Sequence, residues 1–228
     1  MTSIKTRTGA IALVMTAALA AAGCGSDGTH DGHDAAKPTT TATTSAAPAA
    51  VDKAFVAQMI PHHEMAIEMA GLAPTQGQRP QIRTLGKAIL DSQAPEVTEL
   101  RTIAKQLGVT PAAMKTDHES MDHSAHGPSM TAHAKTLGLS MDAMGMSMNM
   151  ESLRSARPFD RAFIDMMIPH HQGAIRMARA QLKRGQNAEL KTIATAIIEE
   201  QQQEIEQMNT WRKDWYGAPS PAGGVPAA

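Results

Sequence analysis

Met-Ile-Pro-His-His occurs twice in the chain, at Met59 to His63 and again at Met167 to His171. Met69 and Met177 follow at helical spacing, so each copy offers two imidazoles flanked by thioethers on one helix. Further along, Gln93 and Glu96 in the first copy match Gln201 and Glu204 in the second. Imidazole, thioether and carboxylate are donor types of transition-metal sites. Thioether with imidazole selects Cu(I), while imidazole with carboxylate accepts Cu(II) or zinc. A second reading stays open. Buried His, Gln and Glu can simply hydrogen-bond one another and fix helix pairing, and methionines at this spacing also serve as core filler.

The segment between the copies adds to the first reading. His118, Met121, His123 and His126 are followed by Met144, Met146, Met148 and Met150 at alternate positions, with Gly, Ser and Asn between them. This alternation does not suit a helix core stripe and is too polar for a buried strand. A flexible His/Met loop able to wrap around copper is expected, or else a biased linker that docks some methionines on the fold.

The elements that must position these groups are legible from the repeat, whose offset is 108 residues. Residues 51–108 and 158–216 each read as helix, short loop, helix, joined by a connector over 109–157. The first helices are expected to begin at Asp52 and Asp160, a good capping residue, with Gly71 and Gly185 marking their ends. Pro80 opens one second helix and a start near Asn187 opens the other. In those second helices a stripe spaced alternately four and three runs through Ile82, Gly86, Ile89, Gln93, Glu96, Leu100, Ile103 and Leu107, and through Leu190, Ala194, Ile197, Gln201, Glu204, Met208, Trp211 and Trp215. Such stripes predict an all-α, four-helix bundle of two antiparallel hairpins. Folding each hairpin should bring His62 level with Gln93, with Glu96 a turn further on, giving two related clusters. Pro61 and Pro169 either kink the first helices or start new ones.

The ends and composition bound the rest. Lys5 and Arg7 precede an apolar run from Ala10 to Ala22, too short to span a bilayer, which closes on Ala-Ala-Gly-Cys24. Residues 1–23 read as a lipoprotein signal peptide, with Cys24 the lipidated residue that anchors the chain outside the cytoplasm. The alternative is an ordinary signal peptide with an incidental cysteine. Residues 24–50 read as a flexible tether and 217–228 as a flexible tail. A formal net charge of −1 argues against nucleic acid as a partner. Aromatics at 3% against 17 methionines leave Leu, Ile, Met and Ala to build the core, which suits helices.

The repeated Phe-x-x-x-Met-Ile-Pro-His-His-x-x-Ala-Ile-x-Met-Ala, the lead-in from Gly145 to Asp160 and the ending at Trp211 resemble the bacterial family known as domain of unknown function 305. That resemblance implies a ferritin-like fold outside the cytoplasm and, among some members, copper binding and resistance. It makes His62, His63, His170 and His171 the first candidate ligands, with Met59, Met69, Met167 and Met177 beside them. Repeat one departs from repeat two at Pro95, where repeat two has Gln203.

Three functions compete at this level. The first is lipid-anchored copper sequestration or buffering by His and Met, with zinc a further candidate ion. The second is a structural or partner-binding bundle. The third is a ferritin-like metal oxidase, which is disfavoured because no Glu has His three residues later.

Overall fold

A computed structural model of the chain describes residues 47–111 and 128–227. Cys24, His118, Met121, His123 and His126 lie outside the described residues, as do the leader and most of the expected tether. Four long helices dominate: α1 (Pro48–Gln76), α2 (Pro80–Gln106), α5 (Phe159–Arg184) and α6 (Ala188–Tyr216). Two short ones, α3 (Pro128–Thr136) and α4 (Met150–Ser155), lie in the connector. No strand occurs among the described residues.

α1 packs along α2 and α5 along α6, giving two hairpins, and α1 and α5 form the contact between them. α1 is buried almost all round, from Val51 to Ala73. The two central helices run antiparallel. Asp52 at the start of α1 meets Gln181 near the end of α5, and Asp160 at the start of α5 meets the turn after α1. The four/three stripes of α2 and α6 face inward through most of their length, with Gln93 and Gln201 each only 2% exposed, while Glu96, Leu107, Trp211 and Trp215 are partly exposed.

Several boundaries differ from expectation, each for a local reason. α1 begins at Pro48, a favoured first-turn residue, so Asp52 is no cap of its own helix and the expected tether runs into α1. Gly71 lies inside α1, which ends at Gln76 with Gly77 as its cap. Both helices run through Pro61 and Pro169, so Ile-Pro starts no new helix. The terminal segment is also not loose. Gln172 donates to the carbonyls of Ala222 and Gly224, Arg179 donates to that of Pro226, and Ser220 is buried. The low-complexity composition of 217–228 hid this because the partners are backbone carbonyls, which any sequence supplies.

The connector departs most from its expected form. Met144 and Met146 are buried in the core with Met150 and Leu153, and Met148 is partly exposed. Backbone bonds from Met144 to Ser140 and from Met146 to Met141 coil residues 140–146 into a compact turn. Alternation with Gly lets Met144 and Met146 turn inward ahead of α4.

Candidate metal centre

The site is built where α1 and α5 cross. His62 and His170 occupy equivalent positions of the repeats, and their rings stack with centroids 3.6 Å apart and planes at 30°. His63 and His171 flank this stack, each 6.3 Å from the neighbouring ring on its own helix. All four rings are buried. The histidines therefore meet at one centre between the repeats, not in two separate clusters, because α1 and α5 cross at the point where the repeat placed them.

The partners differ from expectation too. Gln93 and Gln201 do not bond His62 and His170. Their side-chain oxygens are buried without partners. It is His63 that donates Nε2–H to Glu96 (2.9 Å), and His171 that donates to Glu204 (2.6 Å). His62 donates Nε2–H across the fold to the Met144 carbonyl at 2.9 Å, which brings the connector into the site. The Nδ1 atoms of His62, His63 and His171 have no partner; neither nitrogen of His170 makes a hydrogen bond of normal geometry, although the His62 backbone favours its protonated form. Buried polar atoms are nearly always satisfied, so such a concentration is unusual.

Electrostatics agrees with open lone pairs. His62 is pushed well below the ordinary imidazole range by burial first and by the neighbouring imidazoles second, and His170 likewise. Both rings are neutral near pH 7. Met59, Met69, Met167 and Met177 are fully buried on the same helices. Among the described residues no three His, Cys, Asp or Glu side chains stand as a ready-made ligand set.

Two openings approach the centre. A groove of about 510 Å³ separates α2 from α6, lined in part by Leu85, Glu200, Glu204 and Trp211. Burial pushes the Glu200 carboxyl above its usual range; a hydrogen bond with Ser92 opposes this, and the charges of Glu204 and Glu96 add to it. A second cleft, of about 410 Å³, lies between the connector and α5. There the backbones touch: a Cβ on Gly173 would overlap the Met144 carbonyl, and one on Gly145 would lie 2.6 Å from the Pro169 carbonyl. Glycine at both positions is what lets Met144 reach His62.

Known proteins share this architecture. CopM in its Cu(I)-bound form is 30% identical and superposes with a TM-score of 0.57, the match covering 73% of this chain and 98% of that one. CopM has also been crystallised with Cu(II), with silver and in an apo form. A DUF305 protein of Streptomyces coelicolor, 20% identical, shares the fold at a TM-score of 0.62, over 76% of this chain and 98% of that one. Uncharacterized protein L153 of Acanthamoeba polyphaga mimivirus is 41% identical over 51 residues, 22% of this chain and 34% of that protein. The chain thus spans about a third of that relative's length. The model of the family described as domain of unknown function (DUF305) matches residues 52–212, so the chain belongs to the DUF305 family.

Proposed function

We propose that this chain binds copper at the four-histidine centre and serves to sequester or buffer it outside the cytoplasm. The observation that carries the proposal is the set of unpartnered nitrogens at the α1/α5 crossing, above all both nitrogens of His170. A histidine that ligates a metal characteristically gives its other N–H to a carboxylate or a backbone carbonyl, which fixes the tautomer and the ring. His63 with Glu96, His171 with Glu204 and His62 with Met144 follow that pattern. Their Nδ1 atoms, with a nitrogen of His170, are the proposed ligands. Glu96 and Glu204 then act on the rings rather than on the ion.

Met59, Met69, Met167 and Met177 are the thioethers available to complete a soft site. Cu(I) favours such donors, and the copper and silver complexes of CopM support the choice of ion. Stacked His62 and His170 must swing apart to bind one ion together, which costs packing and gains the metal bonds. Lipid anchoring at Cys24, and copper ligation by His118, Met121, His123 and His126, belong to the same proposal and rest on sequence pattern. Met144 and Met146 are better placed as core than as ligands.

The competing reading is a purely structural histidine network, but a structural network satisfies its members, and neither nitrogen of His170 makes a hydrogen bond of normal geometry. An anaerobic Cu(I) titration of the mature protein against a chromophoric chelator, with zinc as competitor, tests the proposal. Tight Cu(I) binding with a raised melting temperature is expected, because an ion held only by the folded state stabilises it. Loss of binding only when the connector histidines are removed, with no effect of His62, His63, His170 or His171 substitutions, would move the site off the bundle.

A further inference from the structure

We infer that the cleft between the connector and α5 is a loading site for a soft monovalent metal ion, with Met148 and Met166 as its thioether donors. The inference rests on the copper reading above and adds a route to it. Met148 and Met166 both line this cleft and both are partly exposed, unlike Met59, Met69, Met167 and Met177, which solvent does not reach. Two thioethers facing one water-accessible cavity favour a soft cation over a hard one. Asp142 and Asp165 share the lining, but Ser147 donates to Asp142 and both Arg212 and Arg161 pair with Asp165, so the thioethers rather than net charge would draw the ion.

The departure from the repeat points the same way. The position equivalent to Met166 in repeat one is Gln58, which is buried and donates to the Met130 carbonyl. Only the second copy puts a sulfur there, on the side where the connector leaves a cleft. The floor of the cleft includes Gly145 and Pro169. His170 follows Pro169 directly, and Met144, next in sequence to Gly145, accepts from His62 through its carbonyl, so the cleft adjoins one stacked histidine along the chain and the other through that hydrogen bond. Pro169 has no N–H, so the Asp165 carbonyl lacks its usual helical donor and local adjustment there breaks no backbone hydrogen bond. The glycine contacts at Gly145 and Gly173 hold the cleft in shape.

Ag(I), an air-stable soft monovalent ion, is the probe. The full mature chain, labelled with ¹³C at methionine methyls and ¹⁵N in histidine rings, is titrated with Ag(I) and followed by NMR. The Met148 and Met166 methyls, assigned from M148L and M166L, should shift at the first additions. The M148L/M166L double variant, a volume-conserving change that cores tolerate, should take up Ag(I) at its histidine rings about tenfold more slowly in stopped flow. Ring shifts without any movement of the Met148 and Met166 methyls, or an unchanged uptake rate in the variant, would overturn the loading site while leaving the histidine centre standing. Histidine rings that never respond, with both methyls shifting, would uphold the cleft as a metal site and refute the copper centre. No response from either would refute both.

Discussion

Asp52 and Asp160, equivalent residues of the two repeats, each hold the hairpin turn of the other repeat. Asp52 accepts from the backbone N–H groups of Gln186 (3.0 Å) and Asn187 and from the Gln181 side chain. Asp160 accepts from the backbone N–H groups of Gln78 (2.8 Å) and Arg79 (3.0 Å). The exchange clasps the antiparallel α1 and α5 at both ends, and the histidine centre lies between the clasps. Asp160→Ala or Asp52→Ala leaves buried donors unpaired, so each should cost about 2–4 kcal/mol in urea unfolding, charge-assisted bonds being worth about 1.5–3 kcal/mol. A loss near zero would show that the clasp is replaced by water.

His170 is the residue on which metal binding and stability should part company. It is buried and makes no hydrogen bond of normal geometry, so His170→Leu should raise the stability of the metal-free protein by about 1 kcal/mol, the penalty of an unsatisfied buried group being about 1–3 kcal/mol. His62→Leu should lower stability, since it orphans the Met144 carbonyl. Denaturant midpoints of the two variants check the pair, and the expected result is opposite signs.

Acid should weaken the metal-free fold through the same rings. His62 and His170 titrate below their unfolded value of 6.5, so above that pH neither state binds a proton there and the contribution is constant. Below it the unfolded chain takes up protons that the folded chain refuses, and stability falls, by about 1.4 kcal/mol per pH unit for each ring. Urea midpoints at pH 7.5, 6 and 5 should decline in the wild type and decline less in His170→Leu. A flat profile would mean that the rings are not held neutral.

Gly173→Ala should dislodge the connector. The added methyl collides with the Met144 backbone, which has no flexible end to yield. A loss of about 3 kcal/mol or more is expected, in the range of severe overpacking, together with faster amide exchange over residues 141–146. Deleting 128–150 should likewise cost helicity, since it removes Met144, Met146 and Met150 from the core.

The sequence carried the hairpins and the inward faces because the repeat and the four/three stripes are long-range signals that local noise does not erase. It carried the four histidines but not their grouping. Which ring meets which partner depends on where α1 and α5 cross, and the sequence sets no marker for that beyond the shared position of the two copies. Met144 as a hydrogen-bond partner was illegible for a simpler reason: it acts through its carbonyl, which every residue has. A faint signal did exist at Gly173, where repeat one has Met65, marking a close backbone approach found only in the second copy.

X-ray absorption of the mature protein loaded with one equivalent of Cu(I) tests the copper centre most directly. Imidazole scattering with added sulfur is expected in the wild type, and its loss in a His62→Phe/His170→Phe variant that still folds. Sulfur-only coordination, or an identical spectrum in that variant, would contradict a copper centre at the α1/α5 crossing.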